Sequence, residues 1–123
     1  MTPTRVDIIR DDRPIGQAVL EHFDPSMKIA SGRFYPSEGY LTVRSVFRKF
    51  VEAQNLEGTP YRDKLSEYYR ERDKLALSVK MPNASLLSTS WVHIIDFGEF
   101  DELSPEDELV LELGIDDPAF FNT

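Results

Sequence analysis

Residues 86 to 97 constrain the chain more than any other stretch, because they place the only tryptophan, Trp91, in an apolar run with no Lys, Arg, Gly or Pro. An extended backbone puts Trp91, His93, Ile95 and Phe97 on one side and Val92, Ile94 and Asp96 on the other. Apolar residues on both sides require cover on both sides, which predicts an internal position in a sheet. Just upstream, Leu75, Leu77 and Val79 alternate with Ala76, Ser78 and Lys80, and Met81-Pro82-Asn83 reads as a turn. The short connection predicts that the two runs pair antiparallel.

The remaining segments read as follows. Val6, Ile8 and Ile9 mark a first strand, broken by Asp11-Asp12-Arg13-Pro14. Ile15 to Phe23 has spacing that suits a helix somewhat better than a strand, but Gly16 and the hairpin punctuation before it select the strand. Asp24-Pro25 turns the chain into a third strand ending near Pro36. Tyr40, Val43, Phe47, Phe50 and Val51 then recur at three- and four-residue intervals, which predicts a helix over residues 38 to 54, with Arg44, Arg48 and Lys49 on its polar side. Thr59-Pro60 is a start signal for a second helix over residues 60 to 72, whose less polar side carries Tyr61, Leu65, Tyr68 and Tyr69. Ser104-Pro105 followed by Glu106, Asp107 and Glu108 reads as a third, acidic helix ending at Gly114.

The expected fold is therefore α+β and single-domain over residues 1 to 123. It has an antiparallel sheet of four or five strands, two helices packed on one face and a short acidic C-terminal helix. Trp91, Phe47, Phe50, Leu77, Val79, Ile94 and Ile95 are the expected core.

Charge is distributed unevenly. Of 22 Asp and Glu, ten lie in residues 96 to 123, where there is no Lys or Arg, leaving 12 acids against 14 bases in the rest. Such a segment opposes approach to nucleic acid or anionic lipid and favours a basic protein surface. The chain has no cysteine, so neither disulfides nor thiolate metal sites exist. Charges near the N-terminus exclude the apolar core of a signal peptide, and no run approaches the length of a membrane span, so a cytoplasmic setting is expected.

No phosphate loop, nucleophile elbow or metal-ligand spacing is present, so no cofactor, metal or catalytic residue is expected. The leading expectation is a small protein-interaction module, an adaptor or inhibitor. Its contact surface would be the acidic segment (Asp101, Glu102, Glu106, Asp107, Asp116, Asp117) with Phe120 and Phe121 as aromatic anchors for a partner with a basic surface. The alternative is a small-molecule-binding or enzymatic domain with a pocket lined by His93, Tyr35 and Tyr40, to which Tyr61, Tyr68 and Tyr69 could add phenol tips, although a histidine inside an apolar strand is more often a satisfied structural group. A homodimer through a sheet edge or aromatic patch is compatible with both. The basic side of the first helix is expected to receive acidic groups, from the chain's own C-terminal segment or from a second copy's.

Overall fold

The computed structural model describes residues 2–98, 102–104 and 107–122. Asp11 and Asp12 both take left-handed backbone, with φ of 49° and 65°, as a two-residue hairpin turn requires. They join β1 (Thr4–Arg10) to β2 (Arg13–Asp24), with Arg10 opposite Arg13. At the next turn Asp24 Oδ1 accepts hydrogen bonds from Ser26 Oγ at 2.6 Å and from Met27 N at 3.2 Å, which hold its carboxyl below the ordinary range. β3 (Ile29–Pro36) follows, and a 3-10 turn at Glu38–Thr42 leads into α1 (Arg44–Ala53). α2 (Gly58–Lys74), β4 (Ser78–Lys80), β5 (Leu86–Leu87), β6 (Thr89–Asp96) and β7 (Leu109–Ile115) complete the order, with a final 3-10 turn at Pro118–Asn122.

The fold is α+β, and all seven strands join one antiparallel sheet in the order β5-β4-β1-β2-β3-β7-β6. β5 and β6 lie at opposite ends of that order, yet only Ser88 separates them in the chain. The sheet must therefore curl until its two edges meet. Strand twist bends it in this direction, and register shifts at Ile8/Ile9, Leu20/His22 and Thr89/Trp91 add local bends. The inside of the curl is filled by Val6, Ile8, Ala18, Leu20, Phe34, Ile94, Leu109, Leu111 and Leu113, each at most 1% exposed. α1 lays Phe47 into this interior, Tyr68 of α2 packs on Phe47 at 6.2 Å between ring centroids, and both are fully buried.

Several expectations are corrected. The strand count is seven rather than four or five, because residues 86 to 96 form two strands that change partners at Ser88. β5 pairs with β4 and β6 pairs with β7, so the predicted hairpin exists only between Lys80↔Leu86 and Val79↔Leu87. β6 ends the hydrogen-bonded order rather than lying inside it. Its second face is apolar because α1 and α2 cover it: Phe50 stacks edge-on against His93 at 4.5 Å between ring centroids. The Leu75–Lys80 strand shortens to Ser78–Lys80, since α2 continues to Lys74 with Leu75 as its C-cap and Ala76 in left-handed backbone at φ 50°.

The acidic helix expected after Ser104 is replaced by β7. Leu109, Leu111, Leu113 and Ile115 alternate with Val110, Glu112 and Gly114, and all four of the former are buried, at 0 to 2% exposure. Period-two burial between β3 and β6 outweighs a local start signal. Ser104 and Asp107 form a turn instead, with Asp107 N donating to Ser104 O at 3.0 Å and Ser104 N donating to Asp107 Oδ2 at 3.0 Å. Pro105 and Glu106 lie outside the described residues. Of the expected core, Phe47, Val79 and Ile94 are fully buried, while Phe50, Leu77, Trp91 and Ile95 are half-buried. No helix among the described residues is long and apolar enough to cross a membrane.

Candidate functional site

Alternation along β6 turns Trp91, His93 and Ile95 away from the interior, and the register with β7 sets Glu112 beside His93 and Gly114 beside Trp91. Gly114 is needed there: a Cβ on it would stand 2.5 Å from Trp91 Nε1, so the indole lies over bare backbone. On α2, Tyr68, Tyr69, Arg72 and Asp73 fall at three- and four-residue spacings and share the side facing β6. Phe50 closes the arrangement from α1. Together Phe50, Tyr69, Arg72, Asp73, Trp91, His93, Ile95 and Glu112 line an open cleft of about 650 Å³. A smaller hollow of about 190 Å³ continues along the start of β6 and shares Arg72, Asp73 and Trp91 with it. A volume of this size accommodates a small organic molecule.

Arg72 is held on three aromatic rings. Its guanidinium carbon lies 5.7 Å from the centroid of Tyr68, 5.0 Å from Tyr69 and 6.0 Å from Trp91, within cation–π range. Asp73 Oδ1 accepts from Arg72 Nε at 3.0 Å and neutralises it. Behind this pair, the Tyr68 hydroxyl and His93 Nδ1 share a hydrogen bond. Burial, aided by the positive charge of Arg72, pushes the His93 imidazole down to about 4, so it is neutral at physiological pH. Burial raises the Tyr68 phenol, and the charge and hydrogen bond of Arg72 offset this only in part, so it keeps its proton. Because the phenol keeps its proton and the neutral imidazole must offer one bare nitrogen, the shared bond is read as Tyr68 Oη donating to Nδ1. That assigns the proton of His93 to Nε2. Glu112 is half-buried and has no ion-pair partner among the described residues.

A second polar cluster lies inside the curl. Asp96, 1% exposed, accepts from Tyr40 Oη at 2.7 Å, Arg44 Nε at 2.8 Å, Arg44 Nη2 at 3.3 Å and Gly98 N at 2.8 Å. Burial alone would lower the Arg44 guanidinium, but the hydrogen bond and charge of Asp96 outweigh it and raise it. Burial, reinforced by the negative charge of Asp96, pushes the Tyr40 phenol up as well. A Cβ on Gly98 would meet Arg44 Nη2 at 1.9 Å, so the guanidinium sits where only glycine leaves room. The carboxylate is saturated with donors and closed to solvent, and it ties α1 and the 3-10 turn to the end of β6.

The sequence-predicted residues scatter. His93 lines the cleft, but Tyr35 is 52% exposed on the outside of β3 under Arg33, and Tyr40 is wholly buried beside Asp96. The three do not form one pocket. Phe120 is 6% exposed and packs against Phe23 at 6.1 Å, with Phe121 half-buried against it at 5.1 Å. Glu102, Asp116 and Asp117 are exposed, Asp117 Oδ1 accepting from Ala119 N at 3.0 Å. Asp107 reaches Arg44 Nη2 at 3.5 Å, while Asp101 and Glu106 lie outside the described residues. Arg44 thus meets two acids of the C-terminal segment, Asp96 and Asp107, whereas Lys49 is bound by Glu67 at 2.8 Å and by Glu71 of α2. These bonds raise the Lys49 ammonium and lower Glu67. His22 is exposed on β2.

Arg72, Asp73, Trp91 and Glu112 escaped the sequence reading as site residues. The available signal was Tyr68-Tyr69 followed at three and four residues by Arg72, opposite a strand bearing Trp91 and His93 on one side. No group of three or more His, Asp or Glu stands ready for a metal ion among the described residues. Comparison with family models, curated proteins and solved structures gives no match, so the site is read from its geometry.

Proposed function

We propose that this protein is a small-molecule-binding module whose site is the cleft between α2 and β6. One observation carries this reading: aromatic walls from three separate elements (Phe50, Tyr69, Trp91) converge with Arg72, His93 and Glu112 around about 650 Å³ of open space. A concave, largely apolar site with a few placed polar groups is what a small ligand requires. The neutral His93 offers Nε2–H as a fixed donor. The Tyr68 and Arg72 contacts preorganise that donor, which lowers the ordering cost of binding.

Trp91 is the single tryptophan, so the emission arises wholly at the wall it gives to this cleft and to the hollow that continues from it. Titrating a panel of small aromatic and amine-bearing fragments should give saturable changes in Trp91 emission with a matching rise in melting temperature. Tyr69→Ala, at a residue 42% exposed, should weaken that binding at least fivefold while leaving the fold intact. A panel that raises melting temperature without touching Trp91, or does neither, would remove the cleft as the site. The interaction-module alternative, through Phe120 and Phe121, is less favoured because it would first have to lift Phe120 off Phe23.

A further inference from the structure

Resting on that reading, we propose that the ligand of the cleft is an organic cation: an amidinium, guanidinium or alkylammonium group carried on a flat or aliphatic body, with its charge facing Glu112. Four observations point the same way. Aromatic faces attract cations, and the cleft already shows this with its own Arg72, which rests on Tyr68, Tyr69 and Trp91. That charge is matched by Asp73, so it does not leave the cleft positive. Glu112, lining the same cleft, has no ion-pair partner among the described residues, and its register neighbour His93 is neutral and cannot supply one. The C-terminal end of α2 lies at the cleft, where Leu75 N and Ala76 N bond back to Arg72 O and Asp73 O, and the negative end of the helix dipole favours a cation there.

The geometry also separates the parts of such a ligand. Its body would lie along Phe50, Ile95 and Trp91, and its nitrogen donors would reach the Glu112 carboxylate. A carboxylate or phosphate ligand would have to approach Glu112 and Asp73 to reach Arg72, whose side chain is only 12% exposed. The surrounding field adds to the preference, since the chain carries a net charge of −8.

Three probes of one shape and different charge test the class on the unaltered protein: benzamidine, benzamide and benzoate, followed through Trp91 emission. Benzamidine should bind at least tenfold more tightly than the other two, and moderate salt should weaken it. Glu112→Gln should cut benzamidine affinity about tenfold and leave benzamide unchanged, with circular dichroism confirming the fold; the probe comparison stands even if that variant fails to fold. Benzoate or benzamide binding as tightly as benzamidine would overturn the cationic class while leaving the cleft as a site. If fragments from the wider panel perturb Trp91 and benzamidine does not, the class again falls. If nothing perturbs Trp91, the cleft itself falls, and this inference with it.

Discussion

Replacing Asp96 by Asn removes one charge from a pair whose partner has almost no water to turn to. Arg44 is 3% exposed, and Asp96 supplies contacts at 2.8 and 3.3 Å, while Asp107 stands farther off at 3.5 Å. Removing one partner of a buried ion pair costs about 3–5 kcal/mol, because the other charge is left poorly compensated. Asp107 moderates this, so the lower end, about 3 kcal/mol, is expected. For a domain of this size, about 4 °C is lost per kcal/mol, which gives a fall in Tm of about 12 °C. Urea denaturation followed by circular dichroism measures the change directly. A double variant, Asp96→Asn with Arg44→Met, should regain at least half the loss, because the buried charge that lost its closest counter-ion is gone too. An Asp96→Asn protein within about 1 kcal/mol of the parent would refute the reasoning, as would a double variant worse than the sum of its singles.

His93 makes stability depend on pH with a definite sign. Its folded value, about 4, lies below the ordinary value of 6.5, so the unfolded chain takes the proton first and stability falls as pH drops from about 6.5 towards 4. Between pH 7 and pH 5 this amounts to about 2 kcal/mol, and His93→Gln should flatten that part of the urea-derived stability profile; an unchanged slope would show that His93 is not held neutral. Phe120→Ala should cost about 3 kcal/mol in the same assay, as expected for truncating a buried aromatic ring, whereas an unaffected midpoint would mean that Phe120 is free to serve as an anchor for a partner.

Much of the secondary structure was legible because local pattern and tertiary demand agreed. The β1–β2 hairpin follows from Asp11-Asp12 between apolar runs, and α1 from the spacing of Val43, Phe47 and Phe50. The C-terminal segment was illegible because two signals competed: Ser104-Pro105 with following acids marks a helix start, while Leu109, Leu111, Leu113 and Ile115 mark a strand. The strand prevails because its alternation matches a slot between β3 and β6 that no local rule can reveal. The change of partner at Ser88 was hidden for a related reason, since a continuous extended run says nothing about which neighbour each half will find.

The cleft was half legible. His93 stood out as an ionisable group among apolar residues, and it does line the site. The tyrosines offered beside it divide: Tyr35 and Tyr40, near in the chain to a turn, lie away from the cleft, whereas Tyr68 and Tyr69 are brought to β6 by the packing of α2. Arg72 and Glu112 looked like ordinary members of charged surfaces. Only the curl of the sheet, which brings α2 beside the outward side of β6, sets them on the walls of one cleft.

The central claim, that the α2–β6 cleft is a binding site for an organic cation, is tested most directly by fluorine NMR on protein carrying 5-fluorotryptophan at Trp91. One resonance is expected, and benzamidine should shift it in a saturable, salt-sensitive manner, with benzoate at the same concentration leaving it in place. A resonance that ignores benzamidine, or that moves equally with benzoate, would contradict the account.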